Sequence, residues 1–314
     1  MTRVLRVAVV GWAVGAALAV GGAAWAQVEG PVATQALVTV DAKSTPPADV
    51  SVLTVAVDGK KEPVTGWEPV TPAHAQVALL IDDGLRESVG RELSNLRDFV
   101  AHLPPGVEVL VGYMQYGRVV TQQPFTADHA AAAATLHLPE GVAGMNASPY
   151  LCLSDFVKKW PASADTAAMG GGGARKARFV MMLTNGADPY NGSTSVANQG
   201  SPYVDAAERD AQRAGVAVSA IYFGGAGEYG ASVNFSGQSY LTQITEGTGG
   251  VNYYEGNGNP PSTAPYLKAF SGAIGETYVA TFNAPAGAEL VRVKFSAEKV
   301  KLHAAQAVRP GNVE

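Results

Sequence analysis

Apolar and polar positions follow three successive rhythms along the 314 residues. Between Ala36 and Pro72 the period is two. Ala36–Val40 and Val52–Val57 read as strands, Asp58-Gly59 turns the chain, and Lys60–Trp67 returns as the second arm of a hairpin. The rhythm then changes. Val77 to Ile81 is a continuous apolar run that stops abruptly at Asp82-Asp83-Gly84, and helical spacing follows at Val89, Leu93, Leu96, Phe99, Val100 and Leu103 behind a capping Ser88. A short apolar run that ends at a turn signal marks a parallel strand buried on both faces.

The same alternation continues downstream. Val107–Tyr113 reads as a strand, and Gly117-Arg118 turns into Val119–Gln122 as an antiparallel edge. Ala127–Leu136 and the segment opened by Ser148-Pro149 are helical, the latter with proline in its first turn. Arg178–Leu183 is a second buried strand, ended by Thr184-Asn185-Gly186. Val204–Ala214 is a helix closed by Gly215, and Val216–Phe223 is a third buried strand. Gly224–Gly237 reads as a glycine-rich loop. Helices at Tyr240–Thr245 and Ala264–Ile274 flank a short strand at Val251–Tyr254. The tail returns to β alternation at Thr277–Phe282, Glu289–Ser296 and Lys299–His303.

Strands alternating with helices predict an α/β fold with a doubly wound, mostly parallel sheet. That domain spans residues 76–275. The β segments at 27–75 and 276–314 are expected to pair into a small accessory, since the two ends of the chain would then meet on one side. Residues 1–26 have the features of a secretory signal: Arg3 and Arg6, an apolar stretch from Val7 to Ala24, and Ala24-Trp25-Ala26 as a cleavage site. No later stretch is long and apolar enough to span a bilayer. The expected destination is periplasmic or secreted.

Charge and cysteine content narrow the chemistry. The whole chain carries 22 basic and 27 acidic residues, and the signal removes two arginines, so the mature balance is 20 − 27 = −7. An acidic surface disfavours nucleic acid or an anionic membrane as the main partner. Cys152 is the single cysteine, so no internal disulfide forms, and its place between Leu151 and Leu153 reads as core. The four glycines within Ser163–Ala174 lack the lysine that closes a phosphate loop and read as a surface insertion. Five scattered histidines lack the spacing of a zinc site. No Gly-x-Ser-x-Gly elbow occurs, and Asp128 before His129 reads as a helix cap. Residues just past the C-terminal ends of strands sit where open α/β sheets bind ligands. Asp82 and Asp83 therefore hold the leading position, and one reading makes them the acid and base of a hydrolase.

The order of elements from Gln76 to Ile274 resembles a von Willebrand factor type A domain, and more narrowly the bacterial exported proteins described as VWFA-related. The resemblance rests on Leu79-Leu-Ile-Asp82, the antiparallel edge after Gly117, Ser148-Pro149-Tyr150, Met182-Leu-Thr-Asn-Gly186, Ala220-Ile-Tyr222 and Thr248-Gly249-Gly250. It implies a binding module without catalytic residues, acting through the loops above the sheet on a protein or a surface glycan. It also implies a metal-ion-dependent adhesion site, built from Asp-x-Ser-x-Ser, a threonine and a final aspartate, that suits magnesium or manganese. Here Asp82 matches the first aspartate, Gly84 and Arg86 stand where the two serines belong, Ser148 stands in for the threonine, and Asn185 replaces the final aspartate. Asp83 adds a carboxylate at a position that points away in this family.

Two hydroxyls and one carboxylate are missing from that set, and a guanidinium about 4 Å from a divalent ion repels it by several kcal/mol at an effective dielectric near 20. The expectation is a degenerate site, with Arg86 in part of the ion's space, paired to Asp82 or Asp83. The alternative is a retained site, with Asp82, Ser148 and Asn185 holding Mg or Mn.

Overall fold

The computed structural model describes residues 30–41, 43–47, 50–141, 148–163, 175–188, 200–224, 230–256 and 258–312; the side chains of residues 50, 86–88 and 230–235 are outside that description. The proposed signal and residues 164–174 of the glycine-rich insertion lie outside it, as do residues 189–199.

In chain order the strands are β1 (Pro31–Val40), β2 (Leu53–Val57), β3 (Lys60–Pro69), β4 (Ala75–Asp82), β5 (Glu108–Gln115), β6 (Arg118–Thr126), β7 (Ala177–Thr184), β8 (Val216–Tyr222), β9 (Asn252–Tyr253), β10 (Thr277–Pro285), β11 (Val291–Ala297), β12 (Leu302–Ala304) and β13 (Ala307–Val308). The helices are α1 (Leu93–Ala101), α2 (His129–Ala134), α3 (Pro149–Lys158), α4 (Pro202–Ala214), α5 (Gly230–Thr248) and α6 (Ala264–Gly275).

A six-stranded sheet runs β6-β5-β4-β7-β8-β9, parallel throughout except for β6. All eight residues of β4 are buried, and the strand's period of two divides them between two cores. Val77, Leu79 and Ile81 join one core with α1, α2 and α6, while Ala78 and Leu80 join the other with α3, α4 and α5. Each such fully buried aliphatic side chain contributes roughly 1.5–3 kcal/mol. This two-faced burial is why the strand reads as an unbroken apolar run. Cys152 lies in the second core, and burial pushes its thiol up to about 12. Among the described residues no helix is long and apolar enough to cross a membrane.

The N- and C-terminal β segments do form one antiparallel sheet, in the order β12-β1-β10-β3-β2-β11-β13. It is larger than the expected accessory. Its seven strands enclose a core of their own, including Val38, Val55, Phe282 and Val293. β12 and β13 lie two residues apart in the chain yet occupy opposite ends of the strand order, so the short link between them brings the two ends of the sheet near each other. Leu37 and Val279 point from it into the first α/β core.

Two local expectations need correction. The chain after β4 does not begin an α-helix at Ser88. Asp83–Glu92 is 3-10 helix, capped by the Asp82 carboxylate, and α-helix starts only at Leu93. Gly84 and Gly90 lie within this stretch and weaken α-helix there. The second correction concerns α5, which starts at Gly230 rather than Tyr240, so much of the expected glycine-rich loop is helix.

Candidate functional site

Parallel register brings the C-terminal ends of the central strands to one edge. Asp82 pairs with Met114 of β5, and Ile81 with Leu183 of β7, so Thr184 lies beside Asp82. Thr184 donates its hydroxyl to Asp82 Oδ2 at 2.6 Å, and the Gly84 N–H donates to Asp82 Oδ1 at 2.9 Å. Asp82 is 8% exposed. Burial pushes its carboxyl above the usual range, the two donors offset part of that effect, and the Asp83 charge adds to it.

Asp83 faces a different element. It is buried as well, and its Oδ1 accepts the Glu140 N–H at 2.8 Å. The two carboxylates are therefore held by donors from separate parts of the chain rather than converging on one proton. A groove of about 470 Å³ is lined by Glu246, Tyr254, Lys301 and His303, among others, and by neither aspartate.

The other site positions are held by neighbours in the chain. Ser148 is fully buried at the head of α3, where its Oγ accepts the Tyr150 N–H at 3.3 Å. Half-buried Asn185 turns its Oδ1 to the Ala187 N–H at 2.9 Å. The Arg86 side chain, with its expected pairing to Asp82 or Asp83, lies outside the described residues.

Three contributors were not among the candidates. Besides binding Asp82, Thr184 accepts the Gly186 N–H at 3.1 Å. Tyr150 donates its hydroxyl to the Gly186 carbonyl at 2.9 Å and meets Tyr240 edge to face. Asp188, fully buried, accepts from Ser201 Oγ at 2.5 Å, and Ser201 caps α4. Gly186 has a φ of +65°, and a Cβ on it would fall 2.5 Å from the Gly237 carbonyl oxygen. The loop after β7 is thus clamped between α3 and α5. At the opposite edge of the sheet Glu108 binds Gln76 and Lys176, and Trp160 donates to Gln76, so those buried polar groups satisfy one another.

The strand order with one antiparallel edge, Asp82 at the end of the central strand, Ser148 at the head of a helix and Thr184-Asn185-Gly186 on the neighbouring strand together decide the architecture. The α/β unit has a von Willebrand factor type A-like fold. No protein-family model matches the chain, and no curated protein is similar to it in sequence.

Solved structures are similar to the type A-like chain at the level of fold. Proximal thread matrix protein 1 from the mussel byssus is 19% identical, with a TM-score of 0.42 and coverage of 67% of this chain; the chain spans 48% of that protein. The ArnB paralog VWA2 from Sulfolobus acidocaldarius is 10% identical, with a TM-score of 0.38, covering 88% of this chain and 76% of the other. The manganese-loaded TRAP protein of Plasmodium vivax is 10% identical, with a TM-score of 0.41, covering 77% of this chain and 96% of the other.

Proposed function

We propose that the chain is an exported, non-enzymatic binding module. It engages a protein or cell-surface partner through the loops at the C-terminal edge of the six-stranded sheet, and it does so without a resident divalent ion. One observation carries the ion-free reading: the side-chain oxygens at the type A position already accept hydrogen bonds from the chain itself. Asp82 uses one oxygen for Thr184 and the other for Gly84, Ser148 accepts from Tyr150, and Asn185 accepts from Ala187.

The donor set adds to this. Magnesium demands near-octahedral oxygen coordination. Gly84 offers no side chain, Arg86 no acceptor, and Asn185 no charge. Among the described residues no cluster of three histidine, cysteine or acidic side chains could hold a metal. The basic start, apolar stretch and Ala24-Trp25-Ala26 support export. Asp82 and Asp83, held by separate elements, give little support to an acid–base pair.

The test is thermal unfolding of the chain from Gln27 onward with magnesium, with manganese and with chelator. Coincident melting curves are expected. A clear rise in Tm with either metal would overturn the ion-free reading and favour metal-dependent adhesion. Affinity capture of extracellular or periplasmic proteins, with and without chelator, tests the binding role, and recovery of no partner in either condition counts against it.

A further inference from the structure

Two hairpins in this chain use the same backbone turn, and they differ in one residue. Asp58-Gly59 joins β2 to β3 with φ values of +46° and +83°, and Tyr116-Gly117 joins β5 to β6 with φ values of +48° and +79°. Positive φ at both central positions defines the type I′ turn, which favours Asn or Asp followed by Gly. Asp58 fits that rule, and its carboxylate accepts the Arg292 N–H. Tyr116 breaks it. A bulky residue at positive φ is a conformational outlier.

Nothing in the fold compensates. Tyr116 is 69% exposed and makes no hydrogen bond, ring contact or ion pair with any described residue. A local rule broken without a structural gain marks a functional position.

The turn also lies where a binding site would need it. β5 runs parallel to β4, and Asp82 pairs with Met114 two residues before Tyr116, so the hairpin tip stands at the edge that carries Asp82 and Thr184. Arg118, two residues on, is exposed and forms no ion pair among the described residues. Leu138, another exposed large apolar side chain, belongs to the segment whose Glu140 N–H binds Asp83. Tyrosine and arginine are enriched among the residues that dominate protein interfaces, and a two-residue turn holds them with little entropy to lose.

We infer that Tyr116 and Arg118 form the anchor of this binding face, for a protein partner that offers an apolar pocket edged by a carboxylate. The ring fills the pocket, and the guanidinium meets the carboxylate with the positive charge that an otherwise acidic chain leaves unpaired at this point. The inference rests on the loop-face reading above and adds to it the anchoring side chains and the chemistry of the partner.

The probe is a random linear-peptide display library selected on the chain from Gln27 onward. Enriched peptides should combine acidic and apolar residues. They should bind the wild type and Tyr116→Phe alike, and lose about tenfold or more in affinity for Tyr116→Asn and Arg118→Glu. Tyr116→Asn should melt at a higher temperature than the wild type, since asparagine suits the turn. Loss of binding with gained stability separates an anchor from a structural residue. Peptides that bind Tyr116→Asn unimpaired but lose affinity for Asn185→Lys would overturn the anchor and leave the loop face standing. Insensitivity to Tyr116→Asn, Arg118→Glu and Asn185→Lys alike, or no enrichment, would overturn both. A Tyr116→Asn variant that melts no higher than the wild type would remove the strain argument. Self-association in sedimentation that vanishes in Tyr116→Asn would make the partner a second copy and overturn the stated chemistry.

Discussion

Replacing Thr184 with valine tests whether the cross-strand clamp on Asp82 holds the site together. The two side chains have nearly the same shape, so packing at this fully buried position is preserved and only the hydroxyl is lost. Two hydrogen bonds go with it: the 2.6 Å donation to Asp82 and the 3.1 Å acceptance from Gly186 N. A hydrogen bond to a charged group contributes about 1.5–3 kcal/mol, and an orphaned buried N–H costs about 1–3 kcal/mol. The two losses share one atom and will not add fully, so the expected destabilisation is about 2–4 kcal/mol. At roughly 2–4 °C per kcal/mol for a domain of this size, Tm should fall by roughly 4–16 °C.

Urea unfolding followed by tryptophan fluorescence measures the change, and Thr184→Ser, which keeps the hydroxyl, serves as the control. The serine variant should recover most of the loss and fall short only by the missing methyl group. A valine variant within about 0.5 kcal/mol of the wild type would refute the reasoning, because surface-like substitutions fall in that range. Asp82 would then not depend on Thr184 for its stability.

Three further outcomes follow from other parts of the fold. Buried Glu92 accepts from Thr263 N, Thr263 Oγ1 and Asn95 Nδ2. Burial raises its carboxyl, but those donors outweigh it and hold the group below its ordinary value. A depressed carboxylate gives stability that is present above the unfolded pKa and lost as pH falls through the folded one. Glu92→Gln should therefore be destabilised at neutral pH by about 1–3 kcal/mol, and its deficit should shrink in strong acid; urea melts at both conditions check this. Gly237→Ala would put a Cβ 2.2 Å from the Asn185 carbonyl oxygen and should destabilise by about 1–3 kcal/mol or more. Gly272→Ala in α6 meets nothing within 4 Å and should stabilise by about 0.5–1 kcal/mol, which differential scanning calorimetry can resolve.

The sheet was readable because its strands are buried on both faces, and an unbroken apolar run leaves few other interpretations. Antiparallel pairing between the ends of the chain was readable only in outline. Pro31 pairs with Pro285, and no local pattern encodes contacts at such separation or the order of seven half-exposed strands. The start of α5 was hidden for a different reason. Residues 230–237 include Gly230, Asn234 and Gly237, which by propensity favour loop. Yet Gly237 sits where only a missing side chain allows α5 to meet the loop after β7. Tertiary contact, not local preference, selects the helix. The 3-10 segment shows the same limit, since the four-residue spacing of Leu85 and Val89 suits an α-helix rather than the 3-10 helix that forms.

At the site, position was legible and partnership was not. Asp82 ends β4 and Asn185 follows β7, but the hydroxyl that meets Asp82 lies 102 residues away in the chain, on a threonine that reads as the first residue of the turn closing a strand. That contact changes what the carboxylate needs. An ionised carboxylate is an acceptor only, with two oxygens to satisfy. In an adhesion site a cation would take up part of that demand. On the ion-free reading Thr184 and Gly84 supply the donors instead, and burial still leaves the carboxyl raised. Asp82 then depends on Thr184 more heavily than it would beside a metal. The consequence is measurable: magnesium or manganese should leave Thr184→Val as unstable as before, whereas a latent ion site would let either metal restore much of the lost stability.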